Sequence, residues 1–242
     1  MEAVILAAGV ARRLRPYMDD QPKCLLMFDG RSLLERHLTL LRELGVERVT
    51  IVTGHLAELI EGPFRDFPGL AVRFVRNERY TEGSILSMRV GLDGIDRDAL
   101  LMDADVLYER EVLARLVAAR GSCFLLDETA DETGEEMMLG ARDGLVRTIA
   151  RRVGDGWDER GEGVGFFRVA GEQIPALLQA TDALLAEGHS RVEYEAAIDV
   201  FLKDHPAGYV KVGDLAWTEI DFPEDVQKAE VHILPVIRGQ ER

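Results

Sequence analysis

Apolar positions fall into two rhythms along this chain, and their alternation predicts an α/β protein. Val4 to Ala8 is an unbroken apolar run, the pattern of a strand buried on both faces of a parallel sheet. Cys24 to Phe28 reads as a short strand closed by an Asp29-Gly30 turn. The spacing then changes: Leu33, Leu34, His37, Leu40, Leu41 and Leu44 recur at helical intervals. Ser32 and Glu35 stand in capping-box register ahead of that helix, and Gly45 stops it. His37 lies on the apolar stripe and reads as a packed, non-catalytic histidine. Residues 48 to 53 return to strand, and Val72 to Val75 give a third strand. A strand, helix, strand unit of this length implies a right-handed parallel crossover. Gly83 to Leu92 reads as a loop running into a helix, and Ala99 to Met102 as a buried strand.

The second half is more broken. Cys123 to Leu126 is strand-like, and an acidic loop follows from Asp127 to Glu136. Met137 to Ala141 and Leu145 to Ile149 form strands joined by an Asp143-Gly144 hairpin turn. Two strand-like ends converge on Gly161 to Phe167, and helices follow over Glu172 to Glu187 and Val192 to Leu202. Trp217 to Ile220 predicts a short strand, and Pro223 the first turn of a helix.

Composition narrows this picture. With 242 residues, 47% hydrophobic and 30% charged, the chain suits one compact α/β domain. Nothing approaches ~18 consecutive apolar residues, so no membrane span is expected. The first apolar run follows Glu2 instead of a basic region and runs into arginines, unlike a signal peptide. Cys24 and Cys123 lie far apart with no metal-ligand spacing, which suits reduced thiols and a cytoplasmic protein. The formal net charge of −15 opposes a nucleic-acid partner, which calls for a basic face. It does not oppose a nucleotide substrate, because the basic residues near the N-terminus are locally concentrated.

That concentration follows the first strand. Ala7, Ala8 and Gly9 put no bulk over the backbone, so their N–H groups can approach a phosphate or a flat base. Arg12, Arg13 and Arg15 supply planar, always-charged donors for phosphate oxygens. Pro16 and Pro22 stiffen the return to Lys23, a compact point charge. Acidic residues stand at two later places. Asp103 and Asp105 leave the end of a buried strand, where carboxylates are costly unless solvated, paired or metal-bound. Asp221 lies between a short strand and a Pro-led helix.

The series Leu6, Ala7, Ala8, Gly9, Arg13, Leu14, Pro16, Pro22 and Lys23 resembles the signature of small-molecule nucleotidyltransferases. Ala11, Tyr17 and Met18 depart from it, standing where Gly, Leu and Thr are usual. Within that family the chain looks most like the cytidylyltransferases that make CDP-choline and similar head groups. The resemblance implies a Rossmann-like three-layer α/β/α nucleotidyltransferase fold with a mixed, mostly parallel central sheet and a small acceptor-side β subregion. It implies a nucleotide-binding half, residues 1 to 110, and an acceptor-binding half, residues 111 to 242. By the same resemblance Ser87, with Ser84 second, contacts the base. Asp105 and Asp221 hold one Mg²⁺, and Asp103, ranked behind Asp105, belongs with the nucleotide-binding residues. Arg13 and Lys23 align the triphosphate and the acceptor.

The acceptor side stays open at this level. Trp157, Trp217 and Tyr194 with Glu193 and Glu195 would make an aromatic and acidic box for an amine. Alternatively Trp157 is a flap residue, Trp217 is core and Glu195 is solvated. The expected reaction is transfer from CTP to a small phosphorylated alcohol or phosphonate, of the phosphocholine or 2-aminoethylphosphonate type. A sugar-1-phosphate transferase using UTP or dTTP and a non-catalytic nucleotide-binding domain are the alternatives. A monomer or homodimer is expected. A dinucleotide-binding dehydrogenase is disfavoured, since no Gly-x-Gly-x-x-Gly follows the first strand.

Overall fold

A computed structural model describes residues 1–10, 13–14 and 21–240. Ala11, Arg12, Arg15, Pro16, Tyr17 and Met18 of the signature lie outside the described residues. The first half contains strand β1 (Glu2–Ala7), the two-residue strands β2 (Met27–Phe28) and β3 (Arg31–Ser32), and helix α1 (Leu33–Glu43). Strand β4 (Arg48–Thr53), helix α2 (Ala57–Phe64), strand β5 (Ala71–Arg76) and helix α3 (Ser84–Gly91) follow. Strands β6 (Ala99–Asp103) and β7 (Val106–Tyr108) lead to helix α4 (Arg110–Ala118) and strand β8 (Cys123–Asp127). Strands β9 (Met138–Arg142), β10 (Leu145–Ala150) and β11 (Glu159–Val169) precede helices α5 (Ile174–Ala186) and α6 (Glu195–Leu202). The chain closes with strands β12 (Gly208–Lys211) and β13 (Trp217–Glu219) and helices α7 (Pro223–Lys228) and α8 (Leu234–Gln240).

The central sheet has nine strands. Its parallel part runs β6-β1-β4-β5, with Ile5 opposite Ile51 on one side and Met102 on the other. This register puts the ends of β1 and β6 side by side, so that Leu6 is level with Asp103. Strand β11 adds antiparallel to β6 and bends at an irregularity between Gly163 and Phe167, pairing with β8 and β9 as well. The β9–β10 hairpin then forms the small antiparallel region. The sheet is thus mixed, with a parallel part flanked on one side by antiparallel strands, as the sequence led one to expect.

Burial explains why these segments took these forms. Val4 packs on one face of the sheet with Met88 and Leu92, and Ile5 packs on the other with Leu38 and Leu41. Both are fully buried, as an unbroken apolar strand requires. Helix α3 lies close on the sheet because Gly91 has no side chain. A Cβ there would meet Val4 and Val52 methyls at 2.7 Å. Ser32 caps α1, accepting from the Glu35 backbone N–H at 3.1 Å. His37 is fully buried, with Nδ1 2.9 Å from the Tyr108 hydroxyl, and its pKa is pushed down to about 4 by burial.

Two expected elements differ. Cys24 to Phe28 is not one strand: Lys23–Leu25 is a 3-10 turn, and only Met27–Phe28 pairs, in the short β2–β3 hairpin. Pro22 in extended backbone sets that turn. Gly161 to Phe167 is not a meeting of two strand ends, because it lies wholly within β11. A third apolar cluster joins Leu14, Leu26, Phe28 and Leu33 to Ile220, which follows β13, and to Val226, Ile233, Leu234 and Ile237 of the C-terminal helical segment. This cluster buries Leu14, the neighbour of Arg13. Among the described residues no helix is long and apolar enough to cross a membrane.

Candidate active site

Three carboxylates converge beyond the ends of β6 and β13. Asp105 lies in the β6–β7 turn, Glu219 ends β13, and Asp221 follows two residues later. Antiparallel pairing of β13 with β7 brings them together, since Glu219 lies opposite Val106. The Ile220 N–H donates to the Asp105 backbone oxygen at 3.0 Å and locks that register. One oxygen from each of Asp105, Glu219 and Asp221 lies within 4.8 Å of the others. Asp221 is held in turn by Asp225, whose Oδ2 accepts from the backbone N–H groups of Asp221 and Phe222 at 2.9 and 2.8 Å. Asp225 is therefore both a first-turn helix acid and the support of Asp221. Glu219 was not singled out by sequence; an acid at the end of the short strand just before Asp221 is the signal that identifies it.

Lys23 sits between two of these acids. Its Nζ donates to Asp105 Oδ2 at 2.7 Å and also to Asp221 Oδ1. Burial alone would lower the lysine pKa, but the Asp105 and Asp221 carboxylates outweigh it and raise it. Arg13 approaches Asp221 at 3.6 Å from the exposed side, with its guanidinium 5.0 Å from the centre of the Phe222 ring. The donor set of three hard oxygens suits a divalent cation such as Mg²⁺, and Asp105 Oδ1 is buried without a hydrogen-bond partner among the described residues.

Two cavities meet at this cluster. The smaller, ≈ 120 Å³, is lined by Leu6, Ala7, Gly9, Val10, Lys23, Cys24, Ala104 and Asp105. It follows the end of β1, where ligands bind in open parallel sheets. Ala8 is buried beside it, and its backbone oxygen accepts from the His55 N–H at 3.2 Å. The larger, ≈ 730 Å³, shares Val10 and Lys23 and extends past Arg13, Tyr80 and Thr81. Its far wall is apolar, from Phe124, Met137, Phe166, Phe167 and Ile198, and is studded with Asp103, Tyr194 and Glu195.

That polar group is tightly built. Asp103 Oδ2 accepts from the Tyr194 hydroxyl at 2.8 Å, and its pKa is raised well above the usual carboxylate range by burial and by the negative charge of Asp105. Gly165, at φ +78°, is required behind it: a Cβ there would stand 2.6 Å from Asp103 Oδ2. Glu195 is 8% exposed, and its Oε2 has no hydrogen-bond partner among the described residues. Burial raises its pKa to about 7. It is not solvated. Glu193 lies at the rim and pairs with Arg151 at 2.7 Å.

The other sequence candidates lie elsewhere. The Trp157 indole donates to the Val153 backbone oxygen at 3.0 Å and stacks 5.1 Å from the Arg142 guanidinium, outside the cavity lining. Trp217 is buried in the core, its indole N–H donating to Asp127 at 2.9 Å. The cavity instead takes its aromatic surface from Phe124, Phe166 and Phe167. Ser84 Oγ accepts from the Tyr194 backbone N–H at 2.9 Å, which fixes helix α6 to helix α3. Ser87 is buried and accepts from Asn77 Nδ2 at 3.0 Å.

The end of the N-terminal signature strand, the acidic cluster at the ends of neighbouring strands and the adjoining cavity thus lie together on one edge of the sheet. The MobA-like NTP transferase domain family matches residues 3–182, and the chain belongs to that family. It is 29% identical over its whole length to 40% of the CMP-5'-(3-aminopropyl)phosphonate synthase of Streptomyces rubellomurinus. It is 26% identical to the UTP–glucose-1-phosphate uridylyltransferase AglF of Haloferax volcanii, over 95% of each chain. The fold matches that of the CTP:phosphocholine cytidylyltransferase LicC from Streptococcus pneumoniae with a TM-score of 0.78, at 21% identity, over 95% of this chain and 97% of the other. The chain spans 40 to 51% of the length of three curated relatives that it matches.

Proposed function

We propose that this chain is a Mg²⁺-dependent cytidylyltransferase that transfers CMP from CTP to a small amine-bearing phosphonate or phosphomonoester. The observation that carries this reading is Glu195, a buried carboxylate with an unpartnered oxygen beside the phenylalanine wall of the cavity that adjoins the acidic cluster. An uncompensated buried carboxylate is costly, and an ammonium group is its natural partner. Such an acceptor is polar at both ends. Its ammonium end would rest on Glu195 beside the stacked rings of Phe124 and Phe167, and its phosphorus end would reach Lys23 and the acidic cluster. The resemblance to a phosphonate-activating synthase and the fold shared with a phosphocholine enzyme support the same substrate class.

In this reading residues 1 to 110 bind the nucleotide and residues 111 to 242 the acceptor. The Leu6, Ala7, Ala8 and Gly9 backbone lies along the nucleotide, and Arg13 pairs with triphosphate oxygens. Ser87 accepts from Asn77 and retains its hydroxyl proton to donate to the cytosine edge. Asp105, Glu219 and Asp221 would hold Mg²⁺, which supplies charge neutralisation at the reacting phosphates when bound. The acceptor oxygen attacks the α-phosphorus, the bond to the β-phosphate breaks, and pyrophosphate leaves with the electron pair. Lys23 offsets the repulsion between the two anions, and the protein's contribution is alignment and electrostatics. No general base is required, because the attacking oxygen is already anionic at neutral pH.

Pyrophosphate release with Mg²⁺ and each of CTP, UTP, dTTP, ATP and GTP tests this against a panel of acceptors. The panel holds phosphocholine, phosphoethanolamine, 2-aminoethylphosphonate, 3-aminopropylphosphonate, glycerol phosphate and hexose-1-phosphates. Turnover is expected with CTP and an amine-bearing acceptor, and Asp105→Asn should abolish it. Turnover only with UTP or dTTP and a hexose-1-phosphate would overturn the acceptor class. Nucleotide binding without turnover across the panel would favour a non-catalytic domain.

A further inference from the structure

Lys23 sets its ammonium against two of the three carboxylates that would hold a divalent cation. Its ammonium contacts Asp105 Oδ2 at 2.7 Å and Asp221 Oδ1. Those two residues, with Glu219, are the ones whose oxygens approach within 4.8 Å of one another. An ammonium hydrogen-bonded to one oxygen of Asp105 and one of Asp221 opposes a second cation on those carboxylates, because like charges at contact repel strongly. Arg13 does not fill this role. It is largely exposed, stands 3.6 Å from Asp221 on the outer side and rests over Phe222. Lys23, by contrast, lies at the head of the 3-10 turn that follows Pro22 and lines both cavities. Its flexible stem lets the charge move while the turn stays fixed.

We propose that Lys23 is the resident counter-ion of the acidic cluster and competes with the divalent cation for Asp105 and Asp221. It gives way when the phosphates of a bound nucleotide offer it another anion. The inference rests on Asp105 and Asp221 being the ligands of that cation. Two consequences follow from the competition. The free ion binds the nucleotide-free protein weakly, and ion and nucleotide each tighten the other's binding by the same factor. Lys23 thereby keeps a strongly acidic cluster from loading a metal that arrives without nucleotide.

Mn²⁺ binding to the full chain, followed by titration calorimetry and by the free-ion paramagnetic signal, tests the proposal without turnover. Lys23→Met should bind Mn²⁺ at least ten-fold more tightly than the wild type in the absence of nucleotide. Addition of α,β-methylene-CTP should tighten Mn²⁺ binding in the wild type and much less in the variant. Equal or weaker Mn²⁺ binding by a folded Lys23→Met chain would overturn the proposal. The double variant Asp105→Asn, Asp221→Asn tests the premise separately. Wild-type Mn²⁺ affinity in that protein would remove the ligand assignment, and loss of binding there beside an unchanged Lys23→Met would remove only the competition. Should Lys23→Met not fold, acylation of Lys23 in the wild type gives the same test by mass spectrometry. Mn²⁺ with α,β-methylene-CTP should change its labelling rate several-fold relative to α,β-methylene-CTP alone, and an unchanged rate would overturn the proposal.

Discussion

Glu195 shows how a single side chain acquires chemistry from its surroundings. Helical periodicity places it in the first turn of α6, where an acid favours the helix dipole. Packing then buries it, and its pKa is raised to about 7, chiefly by burial, with Glu193 adding negative charge. In the unfolded chain the same group loses its proton near pH 4.5. Between those values the folded state binds the extra proton, so Glu195 contributes less to stability as pH rises through that window. Glu195→Gln is expected to flatten this part of the stability profile and to gain up to about 3 kcal/mol relative to wild type above pH 7. Denaturant unfolding at pH 5, 6, 7 and 8 measures it, and parallel curves for the two proteins would refute the assignment. The functional sign is opposite. An ammonium-bearing acceptor prefers the ionised carboxylate, so its KM should fall as pH rises through about 7 in the wild type and change little in the variant.

At the scale of elements, the acceptor wall depends on how α6 is tied to α3. The Gly83 backbone N–H donates to the Ser190 carbonyl at 2.8 Å, and Ser84 Oγ receives the Tyr194 backbone N–H. Tyr194 in turn reaches Asp103 at the end of β6. Residues 83 and 84 thus help to set the position of Glu195 on the cavity wall. Ser84→Ala should cost about 1 kcal/mol of stability through the lost hydrogen bond. It should raise the acceptor KM about three- to ten-fold while the CTP KM stays within about two-fold, the signature of a support acting through α6. Steady-state kinetics with each substrate varied in turn checks this. A larger effect on CTP would return Ser84 to the base site.

On the scale of the whole molecule, the apolar core and the acidic cluster are made of separate residues. Three apolar clusters hold the sheet and helices, and Lys23 offsets part of the charge of the acidic group, with Arg13 nearby. Chelation of divalent ions should therefore abolish turnover yet move the melting temperature by no more than about 2 °C, less than a 1 kcal/mol change would give at this size. A thermal scan with and without EDTA measures it, and a large fall would make the cation a structural element. The C-terminal helices belong to the fold at this scale too. They cover Leu14 and Phe28, and Arg238 pairs with Asp29 at 2.6 Å, so these helices hold Leu14 and the β2–β3 hairpin.

Local physics alone determined much of this protein. The unbroken run of β1, the capped periodicity of α1 and the Asp-Gly hairpins are consequences of backbone and side-chain preferences within a few residues, and all are legible from the chain. So is the signature series, because its chemistry lies in consecutive small and basic residues. Contacts between distant segments were decided by tertiary structure. The pairing of β13 with β7 joins Glu219 and Asp221 to Asp105, more than one hundred residues earlier. Burial withdraws Trp217 into the core and holds Trp157 on the β9–β10 hairpin, while Phe124 and Phe167 take the cavity wall. Composition cannot foresee that exchange, since an aromatic ring has equal reason to fill a core or to line a pocket. The register of the strands chose between them.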